Sequence, residues 1–437
     1  MRAGFARTRI TPPVGTTMYG FGSRDRERGC EGVHDDLYAR ALYLSDGGEA
    51  ALIVGLDLLF LGRGEADRYK GAIGNRLDLS PRQILLNTSH THSGPMVGTT
   101  WAYADYGLGA ADPFYADELE GALVEAALRA REAAVEVTTR AGAGVSSLPV
   151  SRRRPDGRGG VEWAPHREGE VCRHLPVCLL EDGRGEAVCL LFSVSCHPST
   201  TGGFEISADF PGTAMAALDE RLGRTCSLFL QGAGGDTKAS VIGQGDQWRR
   251  GTWEDIAAAG RTVADEVGQV LDGGLEAAPP GLDATLQEMQ WPLQSVVGRG
   301  ELDGLAADGN DNEIQRLWAR RQLERLDRGQ SLRHEVPVLL HTVELGPGLR
   351  LAGLEGEAVG GLGLHMLRHF EGQGVTFPLG YCDGMAMYLP TTAMLDEGGY
   401  EVVSFHEYGQ PGPLAAGMEA IISEHLEHIT EREAQST

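Results

Sequence analysis

Gln83-Ile-Leu-Leu-Asn-Thr-Ser-His-Thr-His-Ser-Gly-Pro95 joins a short apolar run to a polar segment without a break. Gln83–Leu86 reads as a buried strand, and the Gly-Pro at the far end marks a turn. His90 and His92 stand two residues apart between them, so in extended backbone both imidazoles point to one side. Two imidazoles converging on one point suit a metal ion, or one ligand and one hydrogen-bond donor beside it. In open α/β sheets, polar residues collected at strand ends are where active sites form.

The same construction recurs along the chain. The apolar strand Ala187–Val194 runs into His197-Pro198, followed by Ser207-Ala-Asp209. Cys226–Leu230 runs into Gln231-Gly-Ala-Gly-Gly-Asp-Thr-Lys238, whose glycines are expected to bring backbone N–H groups close to a substrate or an oxyanion. Leu349–Leu354 runs into Glu355-Gly-Glu357, a carboxylate at the start of a helix expected from about Ala358 to Phe370. Two histidine-bearing strand ends and one carboxylate make a zinc-type donor set. Each also has a quieter reading: a hydrogen-bonded structural histidine, a carboxylate favoured by a helix N-terminus, a glycine-rich turn.

Around these strand ends, Ala39–Leu44, Ala51–Leu56 and Val336–Leu345 read as further strands. Tyr115–Ala134, Asp209–Leu222 and Thr252–Leu271 have helical spacing, with Pro211 near the start of the second. Within 303–329, Asn312–Asp327 alternates charged and apolar residues as an exposed amphipathic helix does, and is read as an insertion or lid, or else as a plain surface helix. After Phe370 an irregular stretch is expected up to a C-terminal helix beginning near Pro413. The sum is an α/β protein, mixed β-sheets flanked by helices. A length of 437 residues would allow two or three units, but no repeat and no linker divides it, which favours one large catalytic domain.

Composition narrows the partners. A formal charge of −24 argues against nucleic acid, which is bound through clustered Lys and Arg, and against docking on an anionic membrane. No apolar run is long enough to span a bilayer and Met1–Pro13 lacks a signal-type core, so a cytoplasmic protein is expected. Seven cysteines without CxxC spacing read as reduced and structural. Only two lysines, Lys70 and Lys238, occur among 38 basic residues.

Several segments, in order, give the chain a family likeness: Arg9-Ile-Thr-Pro-Pro-Val-Gly15, Gly32-Val-His-Asp-Asp-Leu-Tyr-Ala-Arg-Ala41, Leu56-Asp-Leu58, Thr88-Ser-His-Thr-His-Ser-Gly-Pro95, His197-Pro198 with Ser207-Ala-Asp209, Gln231-Gly232 with Gly235-Asp236, Gly356-Glu357 and Tyr388-Leu-Pro-Thr391. Together they resemble the neutral, non-lysosomal ceramidases and their shorter bacterial relatives. The resemblance implies a Zn2+ ion held by His90, His197, Glu357 and Tyr388, with His92 at the substrate or reaction oxygen. It implies Arg152 as a substrate-binding residue, although Ser151 stands where the family has Asn.

There are two departures. The family's Gly-Asp-Val-Ser motif reads Gly235-Asp236-Thr237-Lys238 here, so its serine is absent, and the chain ends at residue 437 with no room for the family's C-terminal immunoglobulin-like domain. The expected function is therefore a zinc-dependent hydrolase that cleaves the carboxamide of a small soluble molecule other than ceramide, using a metal-activated water. His92, Tyr388 and Lys238 are the expected catalytic residues, and Arg152, Gly235 and Asp236 the expected substrate contacts. Lys238 would bind a substrate carboxylate or move a proton. Alternatives are a zinc-dependent ester hydrolase or lyase, and a zinc-stabilised binding protein without catalysis; a homo-oligomer is compatible with all three.

Overall fold

In Glu49–Leu56, Ile84–Thr88 and Ala187–Val194, neighbouring side chains are buried without alternation. A strand sends successive side chains to opposite faces, so both faces of such a sheet must be covered. The computed structural model, which describes residues 1–25, 27–98, 105–108 and 111–436, shows the covering layers. On one face Leu52, Val54 and Leu56 meet Tyr69, Ile73, Leu119 and Leu123 of helices Arg63–Leu77 and Pro113–Glu132. Farther along that face Leu190, Phe192 and Val194 meet Phe210, Leu218, Val263 and Val267 of helices Asp209–Leu222 and Trp253–Gly273. On the other face Ile53, Leu85, Leu191 and Leu228 pack against Val343, Leu351 and Phe377 of a second sheet.

The first sheet runs, edge to edge, through Ser227–Gln231, Ala187–Val194, His174–Asp182, Val135–Val145, Arg2–Arg9, Tyr38–Asp46, Glu49–Leu56 and Ile84–Thr88, with Glu276–Ala278 branching from Val135–Val145. Its pairs are antiparallel except at the two ends, where Ala187–Val194 pairs with Ser227–Gln231 and Glu49–Leu56 with Ile84–Thr88 in parallel. Parallel neighbours need a crossover, supplied by helices Asp209–Leu222 and Arg63–Leu77. The second sheet orders Asp283–Pro292, Glu335–Glu344, Leu349–Leu354 and Val375–Leu379. Its outer face is covered by Leu362 and Met366 of helix Gly360–His369 and by Met418, Ile422 and Leu426 of helix Met418–Ser436.

The two edges of the first sheet meet. Asn87 Oδ1 accepts the Gln231 N–H at 2.7 Å, and Asn87 Nδ2 donates to Gln231 O at 3.3 Å and Gly380 O at 2.8 Å. Asn87 and Gln231 lie on opposite edge strands, so the sheet curls round and one side-chain amide takes the place of a ladder rung between its edges.

The α/β class and the mixed sheets flanked by helices are as the sequence implies. The stretch after Phe370 is less irregular than expected. It contains strand Val375–Leu379, the two-residue strand Tyr388–Leu389 and the short helices Thr392–Glu397 and Tyr400–Val403, and the last helix begins only at Met418. Pro378 hides the first of these, yet that strand lies at the edge of the second sheet, where a missing N–H is tolerated. The 303–329 region is helical, as Glu313–Asp327 preceded by Arg299–Leu305. Trp318 anchors it, buried against Phe405 and donating Nε1–H to Gln410 O at 2.8 Å. The seven cysteines are free and buried, and no helix among the described residues is long and apolar enough to cross a membrane.

Candidate metal centre

His90 leaves the Ile84–Thr88 strand with φ +64°, a left-handed conformation uncommon for a side-chain-bearing residue. Its backbone N–H donates to Leu58 O at 2.8 Å and its Nδ1 lies 2.8 Å from Leu59 O. A carbonyl can only accept, so Nδ1 carries the hydrogen and Nε2 is left bare. His197, just past Ala187–Val194, repeats the device, with Nδ1 at 2.8 Å from Gly234 O. The two-residue strands Glu357–Ala358 and Tyr388–Leu389 pair in parallel, which sets Glu357 beside Tyr388.

These side chains converge. Glu357 Oε2 lies 3.2 Å from Nε2 of both His90 and His197, and Tyr388 Oη lies 3.4 Å from His197 Nε2. His92 completes a trio with His90 and His197 whose ligand-type nitrogens all lie within 4.8 Å of one another. His90 Nε2, Glu357 Oε2 and both ring nitrogens of His92 are buried and have no hydrogen-bond partner among the described residues. Buried polar atoms are rarely left so, and bare lone pairs gathered at one point repel unless a cation lies among them.

The electrostatics agree. Burial pushes His197 down to about 4 and His92 well below its usual value, so both are neutral imidazoles with a free lone pair. Burial works to raise Glu357, but the facing His90 and His197 overcome it and hold the carboxylate well below its ordinary range. The imidazoles of His90 and His197, the buried Glu357 carboxylate and the neighbouring Tyr388 oxygen can hold a divalent metal ion.

The neutral ceramidase of Pseudomonas aeruginosa shares this architecture: its crystal structure matches with a TM-score of 0.73, covering 97% of this chain and 73% of that one at 16% identity. A ceramidase complexed with C2 matches with the same score and identity, over 97% of this chain and 74% of that one. The fold is that of the neutral ceramidases. No family model matches the sequence, and no curated protein matches it.

Within this ceramidase-type fold, His90, His92, His197, Glu357 and Tyr388 come together, whereas the other expected residues have different surroundings. Arg152 is wedged behind Tyr388, stacked on Trp163 at 4.1 Å, with Nε donating to Glu401 Oε1 at 2.7 Å. The glycine-rich loop uses its amides within the fold: Gly232, Ala233 and Gly235 donate to Val194, Pro378 and Ala358 carbonyls. Gly235 is glycine because a Cβ there would lie 2.5 Å from Glu357 O. Asp236 accepts the Gly360 N–H at 2.7 Å and its carbonyl accepts from Arg152 N, so it braces the start of helix Gly360–His369. The loop serves the centre instead through the Gly234 carbonyl that orients His197.

Lys238 has its backbone bridged to His197 and lines a cleft of about 700 Å³ shared with Phe21, Arg24, Phe204, Trp248 and Arg250. The cleft borders the centre at His92, whose ring lies 4.9 Å from Phe21 and whose carbonyl accepts from Arg24 Nη1 at 3.0 Å. Burial, then the charge of Arg152, draws Lys238 down to about 8. Three further residues carry no motif in the sequence. Tyr408 donates its hydroxyl to Glu357 Oε1 at 2.6 Å. Tyr381 lies 4.4 Å from the His90 ring with its hydroxyl buried and unpartnered among the described residues. Arg24 forms part of the cleft wall.

Proposed function

We propose that this protein is a zinc-dependent hydrolase that cleaves the carboxamide bond of a small soluble N-acyl molecule. The observation that carries the proposal is the convergence of bare, buried His90 Nε2 and Glu357 Oε2 with His197, each histidine tied through Nδ1 to a carbonyl. Such carbonyl partners fix the tautomer and ring orientation that a metal ligand needs. His90, His197 and Glu357 would hold the ion, with Tyr388 as the fourth donor. Bound there, zinc supplies a Lewis acid and lowers the pKa of a water at the site.

The chain's own residues supply the rest. His92 forms the centre's border with the cleft, and neither ring nitrogen has a partner among the described residues. As a neutral imidazole it donates from one nitrogen to the carbonyl oxygen as charge builds there. The proton released by the attacking water is delivered to the departing nitrogen, giving a carboxylic acid and an amine. Arg152, behind Tyr388, keeps that phenol oriented. The ceramidase-type fold supports amide chemistry by analogy, and the missing family serine at Lys238 is no obstacle to a route that uses water.

The test pairs metal analysis with a screen of N-acyl amines and N-acyl amino acids. One zinc per chain and amide hydrolysis are expected, with 18O from water entering the carboxylate product. His90→Ala and His197→Ala should lose the metal and about a thousandfold or more of kcat/KM, which is on the order of 4 kcal/mol of transition-state stabilisation. Full activity in either metal-free variant would refute the scheme.

A further inference from the structure

Five cations line the cleft beside His92, in a chain whose formal charge is −24: Arg24, Arg28, Lys238, Arg249 and Arg250. Two are already matched, Arg28 by Glu31 and Arg249 by both oxygens of Asp255. Arg24, Lys238 and Arg250 have no carboxylate within ion-pair distance among the described residues. The acidic side chain in the lining, Asp25, accepts the Glu27 N–H at 3.1 Å.

Arg24 is the most telling of the three. It is 91% buried, given its relative exposure of 9%, and Nη1 is held by Tyr19 O at 2.6 Å and His92 O at 3.0 Å, while Nη2 is buried without a partner among the described residues. An unanswered guanidinium N–H inside a protein is costly unless a ligand accepts from it. Lys238 lies over the Trp248 ring at 5.7 Å, and Arg250 Nη2 donates to Gly202 O from an otherwise exposed side chain. Phe21, Phe204 and Trp248 give the same cleft apolar walls.

We infer that the substrate carries an anionic group, a carboxylate or a phosphate, seated among Arg24, Lys238 and Arg250 while its amide lies at His92. The substrate class is then an acylated amino acid or an acylated phosphoamine. This rests on the amide-hydrolase reading above. Arg24 is hydrogen-bonded to the His92 backbone and Lys238 is bridged to His197, so the anion sits only a few bonds from the scissile amide. A neutral lipid amide would cover these three cations without answering their charge.

The experiment titrates the zinc-loaded protein calorimetrically, at low salt, with N-hexanoylglycine, N-hexanoyl-β-alanine and N-hexanoyl-O-phosphoethanolamine. The neutral N-hexanoylglycinamide, N-hexanoyl-β-alaninamide and N-hexanoylethanolamine are titrated beside them, and hydrolysis is followed separately. At least one anionic ligand should bind about tenfold or more tightly than its neutral counterpart, as charge-assisted hydrogen bonds do. Lys238→Gln and Arg250→Gln should each cut that preference several-fold, and Lys238→Arg should retain it. The carboxylate and phosphate arms tell which anion the cleft takes. Equal binding of anionic and neutral ligands, no binding of either included, overturns the inference even where amides are hydrolysed. An anion preference with no hydrolysis keeps the anion site and removes the hydrolase reading instead.

Discussion

Glu357 gives its two oxygens to different neighbours: Oε2 faces His90 and His197 at 3.2 Å, and Oε1 accepts the Tyr408 hydroxyl at 2.6 Å. That one hydrogen bond fixes the carboxylate plane and leaves Oε2 turned towards the histidines. Groups that orient a ligand from behind commonly contribute about 10–100-fold to metal affinity. Tyr408→Phe should therefore bind zinc about 10–100 times more weakly in competition with a chelating dye, while circular dichroism shows the fold intact. An affinity within twofold of the parent protein would mean that Glu357 is positioned by its backbone pairing with Tyr388 alone. Tyr408 lies 51 positions from Glu357 and belongs to no motif, so nothing in the sequence pointed to the contact. His90 and His197 were legible because each closes a strongly apolar strand, where an imidazole is out of place unless something engages it.

The candidate ligands meet because strands meet. His90 follows one edge strand of the first sheet and His197 follows the strand next to the other edge, so the site exists only where the sheet curls closed. Asn87 makes that closure, and Asn87→Ala would strip the buried Gln231 N–H of its partner and leave the Gln231 and Gly380 carbonyls only the longer bonds from the Gly380 N–H and the Cys382 thiol, each at 3.3 Å. The expected cost is about 1–3 kcal/mol for the unsatisfied groups, read from urea unfolding, together with weaker zinc binding, since His90 is three residues away. Unchanged stability and unchanged zinc affinity would show that core packing alone shuts the sheet. The strands themselves were easy to read because burial on both faces leaves continuous apolar runs in the sequence. The partner of Asn87 was not, since a lone polar residue in such a run announces a bond without saying to what. The Gly232–Gly235 loop misled for a related reason: glycine signals close approach, and here the approaching groups are Ser195 and Cys196 at Gly232 and Gly234 and the Glu357 backbone at Gly235.

Across the whole molecule, one buried ionic group ties the layers together. Lys70, on helix Arg63–Leu77, meets Asp383 Oδ1 at 2.6 Å, and the same oxygen accepts the Leu86 N–H of the first sheet at 3.0 Å. His341, on strand Glu335–Glu344 of the second sheet, bonds Asp383 Oδ2 through Nδ1 and reaches Arg82 O through Nε2 at 2.8 Å. One of the chain's two lysines thus has a structural explanation, whereas Lys238 faces a cleft without a carboxylate partner among the described residues. Burial alone would raise Asp383, but Lys70 and His341 overcome it and hold the carboxyl well below the usual aspartate value. A carboxylate depressed in this way adds stability that is present above its unfolded pKa, near 4, and is lost as pH falls through the folded value. Lys70→Met keeps the side chain's bulk but leaves Asp383 buried without its cation, a change that typically costs about 3–5 kcal/mol. The variant should be less stable than the parent by that amount at neutral pH in urea unfolding. Without the ammonium Asp383 takes up a proton more readily, so the gap should narrow as pH falls towards about 4. A gap that stays constant from neutral pH down to that range would show that the loss does not come from the charge on Asp383, and the layers would then be joined by their apolar faces alone.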